Sequence, residues 1–211
     1  MSIETIIEKQ LQELNKEGIK DEKDKHCREA MKEYILPTTK QVLKALEEIF
    51  GDEDVQCERY VNLKHIDLFL PIIGRIDFES NTKGMELKIL PPEFRKTKKG
   101  YSVSVQKLPE QPRPHNLAQT SVYERETKKD FYLVYANSEG YKVFKPSRQD
   151  LDKNFNNMIE KAKVIQNLLD ISNGDGRVMA QYVEQPDLDH WYYSDLTTKQ
   201  KKLARELWNI H

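Results

Sequence analysis

Ile72-Ile73-Gly74-Arg75-Ile76-Asp77-Phe78, the turn signal Asn81-Thr82-Lys83-Gly84, and Met85-Glu86-Leu87-Lys88-Ile89-Leu90 make up the stretch that decides the fold. Two apolar runs flank a compact turn, which predicts adjacent strands over Ile72 to Phe78 and Met85 to Leu90. Side chains alternate along a strand with period two. Glu86 and Lys88 therefore share one face, while Met85, Leu87 and Ile89 share the other. Asp77 closes the first apolar run, and Glu86 follows nine positions later on the second strand.

Each of these residues has an ordinary explanation when taken alone. Asp77 suits the cap of the turn that begins at Asn81. Glu86 and Lys88 suit the solvent face of an edge strand whose other face packs on the core. Taken together they suggest chemistry. Two carboxylates on neighbouring strands can share a hard divalent cation such as Mg²⁺ or Mn²⁺, and oxygen-only ligation does not favour zinc. A lysine on the same face can orient an attacking water or stabilise negative charge developing on a phosphate.

Further along the chain, Asn116 to Lys128 reads as a helix containing Gln119-Thr120-Ser121-Val122-Tyr123. Gln119 and Tyr123 lie at i and i+4, on one face of that helix. The ordered set Gly74-Arg75-Ile76-Asp77, Glu86-Leu87-Lys88 and Gln119 with Tyr123 resembles the core of the PD-(D/E)xK nuclease superfamily. The closer likeness is to its RecB-like, phage-exonuclease branch. The match runs directly from about Val55 to Tyr123.

The resemblance implies an α/β fold with a restriction-endonuclease-like core, a mixed central β-sheet flanked by helices. It implies Asp77, Glu86 and Lys88 as catalytic residues. Asp77, Glu86 and the backbone carbonyl of Leu87 would hold Mg²⁺ or Mn²⁺, and Gln119 and Tyr123 would steady substrate. Many relatives add a histidine or glutamate from a helix upstream of the first strand. Here that helix is Thr38 to Phe50, where Gln41 stands in the region expected for a histidine. Glu48 is the candidate third ligand, and Glu58 on the first strand is another. Some relatives carry a four-cysteine iron–sulfur cluster; with only Cys27 and Cys57, this chain cannot build one.

Around this core the chain reads as helices over 1–50, a catalytic core over about 55–145 and a helical region over 150–211, forming a single domain. Ser2 to Gly18 carries a helical stripe, Cys27 to Tyr34 predicts a second helix that Pro37 interrupts, and Thr38 to Phe50 a third. Val55 to Val61 and Ile66 to Phe69 read as β. Pro91 to His115 reads as a long irregular loop. Its basic residues are ordinarily a solvated surface, yet the loop leaves the strand bearing Glu86 and Lys88. Lys96, Lys98 and Lys99 are therefore candidate phosphate contacts, with Phe94 or Tyr101 able to stack on a base. Phe131 to Tyr135 and Tyr141 to Phe144 predict a hairpin, and Leu151 to Leu169 and Thr197 to Ile210 predict helices. Asp187 to Tyr193 reads as a packing corner.

Of the 211 residues, 33% are charged and the net charge is -1. That balance argues mildly against a non-specific nucleic-acid coat protein, but not against an enzyme with its positive charge gathered in one groove. Two separated cysteines and no run of roughly 20 apolar residues predict free thiols, a reducing cytoplasm (the host's, if phage-encoded) and no membrane span. The expected function is a metal-dependent DNA exonuclease of phage or bacterial recombination, repair or degradation. DNA is the expected partner, with self-association and a single-strand-binding or annealing protein as further candidates. The alternatives are a catalytically inactive nucleic-acid-binding module on the same fold and a structure- or sequence-specific endonuclease.

Overall fold

The computed structural model describes residues 5–9, 12, 22–98, 100–183, 187–188 and 196–208. Among them the strands are β1 (Gln56–Leu63), β2 (Ile72–Glu79), β3 (Lys83–Ile89), β4 (Glu93–Thr97), β5 (Gly100–Ser104), β6 (Asp130–Ala136) and β7 (Tyr141–Phe144). The helices from residue 22 onward are α1 (Glu22–Phe50), α2 (Pro114–Thr127), α3 (Arg148–Ser172), α4 (Gly176–Met179) and α5 (Thr198–Trp208). The chain divides into two compact units, Met1–Leu63 with Ile72–Phe155, and Lys64–Pro71 with Asn156–His211.

The first unit is α/β, with a mixed sheet flanked by helices. Its five strands run β1-β2-β3-β6-β7, and only the β3–β6 pair is parallel. Parallel neighbours need a crossover, and α2 provides it. β3 and β6 therefore lie inside the sheet and are covered on both faces. On one face Ala45, Ile49 and Phe50 of α1 pack against Met85 and Val134, with Leu87 and Tyr132 at the edge of the cluster. Leu133, Tyr135 and Leu90 form a second cluster with Leu117 of α2 and Leu108. The buried Tyr135 phenol pins the start of α2, accepting hydrogen bonds from the Arg113 N–H (3.0 Å) and Asn116 Nδ2 (2.7 Å).

Three local expectations change. Pro37 does not divide two helices: α1 runs through it. Proline removes one intrahelical donor, and in that turn the Thr39 hydroxyl donates to the Ile35 carbonyl at 2.9 Å. The stretch after β3 is not wholly irregular, because β4 and β5 pair as a small antiparallel hairpin. Ile66 to Phe69 is not a strand. Its polar groups are met by α3 instead: the Phe69 N–H donates to Gln166 Oε1 (2.8 Å), and Lys163 pairs with Asp67 (2.7 Å). This tie groups the β1–β2 connection with the C-terminal helices in the second unit. In that unit α4 and α5 pack together.

Cys27 and Cys57 are both free. No helix among the described residues is long and apolar enough to cross a membrane.

Candidate active site

The site forms where two strands part. β2 and β3 pair at Glu79↔Gly84 and Phe78↔Met85. The next position would set Asp77 opposite Glu86, and there the ladder stops. The Leu87 N–H donates instead to Asp77 Oδ2 at 2.7 Å. A side chain has taken the place of a backbone acceptor, so the strands can splay while the buried donor stays satisfied. Asp77 and Glu86 are thereby left beside the gap.

Glu86 is 1% exposed. That excludes the edge-strand explanation, because β3 lies between β2 and β6 and this carboxylate is in the interior. Its Oε1 accepts from Lys88 Nζ at 2.5 Å, while its Oε2 has no hydrogen-bond partner among the described residues. Lys88 Nζ also donates to Gln119 Oε1 (2.9 Å), and Gln119 Nε2 donates to the Tyr123 hydroxyl (2.9 Å). That hydroxyl accepts in turn from the Arg75 N–H at 3.2 Å. One hydrogen-bonded chain therefore runs from Glu86 through Lys88, Gln119 and Tyr123 back to β2, two residues from Asp77. The i, i+4 spacing on α2 and the i, i+2 spacing on β3 make this closure possible.

The electrostatics are those of a site lacking positive charge. Burial pushes the Glu86 carboxyl up to about 7, and the Asp77 charge adds to this against the pull of Lys88. Burial also raises Asp77, opposed by the Leu87 N–H and by Lys88. The charge of Asp77 thus disfavours the ionised form of Glu86 in the shared pocket. Burial raises the Tyr123 phenol as well, so it stays protonated in the network.

Hard oxygen donors, an unpartnered buried Oε2 and excess negative charge together suit a divalent cation. Asp77 and Glu86 alone are two ligands, however, and no group of three or more His, Cys, Asp or Glu among the described residues is arranged to hold a metal. The expected third ligand, Glu48, is not brought here. It lies on α1, which covers the Met85 and Leu87 face of β3, and its Oε2 accepts from the Tyr141 hydroxyl at 2.8 Å. Leu87 sits between the two key residues of β3, with its side chain packed against the α1 cluster.

Lys96 and Lys98 are exposed on the β4–β5 hairpin, and Lys99 lies outside the described residues. The hairpin meets α1, where the rings of Tyr101 and His26 are 5.4 Å apart. Tyr101 is thus already engaged, and Phe94 is half-buried. Of Asp187 to Tyr193, only residues 187–188 are described, and Leu188 is buried. A cavity of about 570 Å³ lies away from this chemistry. It is lined by Arg59, Glu79, Glu126 and Lys129, whose charges pair with one another.

Two residues of the quoted motif, Gly74 and Arg75, had no role assigned from the sequence. Arg75 contributes its backbone N–H to Tyr123, and its guanidinium meets Glu58. The available signal was Gly74, since glycine inside a strand marks a close approach. A Cβ at Gly74 would lie 2.7 Å from Tyr123 Cε1 and 2.9 Å from its hydroxyl. Gly74→Ala is therefore expected to push the buried Tyr123 ring aside and break its bond to Arg75. Overpacking of this kind costs about 1–3 kcal/mol. Urea denaturation should show that loss, and an unchanged midpoint would mean that the ring has room to move.

A scan against protein-family models finds no match, and searches of curated proteins and of solved structures find none either.

Proposed function

We propose that this chain is a metal-dependent deoxyribonuclease, an exonuclease of the PD-(D/E)xK superfamily's RecB-like branch. The observation that carries the reading is Glu86. It is a buried carboxylate with one oxygen on Lys88 and the other unpartnered among the described residues, set beside Asp77 where β2 and β3 separate. Such a group is costly to bury unless something completes its charge. Mg²⁺ or Mn²⁺ held by Asp77, Glu86 and the Leu87 carbonyl would complete it, supplying Lewis acidity at the scissile phosphate and lowering the pKa of water.

The chain's own groups have separate work in this scheme. The Lys88 ammonium, fixed between Glu86 and Gln119, stabilises charge as it develops on the phosphate. Gln119 holds Lys88 by its oxygen and Tyr123 by its amide, so it fixes the lysine without adding charge. Tyr123 ties α2 to the Arg75 backbone and keeps the lysine's support in register with Asp77. The mixed sheet with α1 and α2 packed on it supports the superfamily reading, and Gln119 with Tyr123 favours its exonuclease branch over an endonuclease. A binding module without chemistry would not need a lysine held against a buried carboxylate.

The direct test is digestion of end-labelled linear and closed circular DNA with and without Mg²⁺. Loss of linear DNA alone, only with metal, is the expected result. Cleavage of circles would make it an endonuclease, and binding without hydrolysis under any divalent metal would favour the inactive module.

The hairpin is tested separately. Neutralising Lys96 and Lys98 is expected to weaken DNA binding and to lower its log–log salt slope by about 0.7–0.9 for each phosphate that is no longer neutralised. A wild-type slope would make the hairpin a solvated surface.

A further inference from the structure

We propose that Glu58 is a third carboxylate of this site, a ligand for the divalent cation that Arg75 holds away until a substrate phosphate displaces it. The inference rests on the metal-dependent reading above and extends it. The antiparallel register of β1 and β2 pairs Cys57 with Phe78 and Arg59 with Ile76, so Glu58 lies across from Asp77, where no pair forms. Its φ is 60°, a left-handed conformation that L residues other than glycine rarely adopt, in the middle of a strand. Strained backbone of this kind clusters at functional sites and persists where surrounding structure holds it.

The carboxylate of Glu58 now rests on Arg75, with Oε2 to Nη1 at 3.1 Å and both side chains more than half exposed. Exposed pairs of this kind contribute little net stability, so a phosphodiester anion can take the guanidinium at small cost. Glu86 supplies the independent sign that the pocket is incomplete: it is 1% exposed, and its Oε2 has no partner among the described residues. The charge of Glu58 also acts on both Asp77 and Glu86, which puts it within electrostatic reach of each. Asp77, Glu86 and Glu58 outnumber Lys88 and Arg75 by one negative charge before any cation enters. When Arg75 moves to phosphate, Glu58 is left without its cation beside a site that lacks a third ligand. Binding of substrate and completion of the metal site then become one event.

Calorimetric titration of Mn²⁺ into wild type, E86A, E58Q, R75Q and the E58Q/R75Q double variant tests this. Wild type should bind, and E86A should not. E58Q alone should leave Mn²⁺ affinity within twofold of wild type, because without substrate Glu58 already rests on Arg75. R75Q should tighten it several-fold, because Glu58 no longer has a cation to leave. The double variant should match E58Q, because Arg75 acts only by holding Glu58. Additive effects of the two substitutions would overturn the proposal, showing that both act as distant charges. R75Q within twofold of wild type, with binding still lost in E86A, would overturn it and leave the metal reading intact. A wild type that binds no Mn²⁺ would overturn both.

Discussion

Without divalent cations, Glu86→Gln is expected to melt above wild type at pH 8, and with Mg²⁺ present it is expected to hydrolyse no DNA. The two effects have one origin. In the folded protein Glu86 titrates at about 7, against 4.5 for the ordinary carboxyl. A raised folded-state pKa favours the folded state fully below pH 4.5, and that contribution is lost as pH rises through 7. Wild type should therefore lose on the order of 3 kcal/mol across this window, while the neutral glutamine should not. Thermal melts in chelator at pH 4 and pH 8 measure this. The two proteins should converge at the lower pH and differ by roughly 5–10 °C at the higher, the scale such a free energy implies for a chain of this size. A glutamate kept for structure alone would give the opposite sign at pH 8.

Lys88→Ala is expected to lower kcat by roughly 10²–10³-fold, the usual loss on removing one preorganised electrostatic group. DNA affinity and Mn²⁺ affinity should change little, because Lys88 is a ligand of neither in the ground state. The pH–rate profile carries the sharper signature. Lys88 pulls the Glu86 carboxyl down, so without it Glu86 should ionise at still higher pH and the rising limb of the profile should move upward. Near wild-type turnover with an unmoved profile would make Lys88 a neutralising charge and nothing more. Gln119→Ala provides a graded companion, since it removes the second bond on Lys88 Nζ and leaves the ammonium in place.

The β2–turn–β3 unit and the shared face of Glu86 and Lys88 were legible because strand alternation is a local property of the sequence. The same holds for Gln119 and Tyr123, whose helical spacing survives any tertiary arrangement. Glu48 was misplaced for the complementary reason. Periodicity ranks positions around α1, but it does not say which face of the sheet the helix covers, and that is decided by Ala45, Ile49 and Phe50 packing on Met85 and Val134. Pro37 read as a break because its missing hydrogen bond is local, whereas the packing that keeps α1 continuous is not. Ile66 to Phe69 read as a strand from apolar content alone, while its backbone groups find partners on a helix almost a hundred residues later. The parting of β2 and β3 at Asp77 had no signal in the sequence. It depends on a side chain reaching the Leu87 N–H, which is a matter of three-dimensional position and not of pattern.

On the proposed reading, Asp77 and Glu86 are one half-finished cation site, and the chemistry follows from completing it. Equilibrium binding of Mn²⁺ to wild type, Asp77→Asn and Glu86→Ala, followed by calorimetry at pH 7.5 with no nucleic acid present, isolates that step from substrate binding and turnover. Saturable binding in wild type that disappears in each variant is the expected result. Equal Mn²⁺ affinity in all three proteins would refute the site.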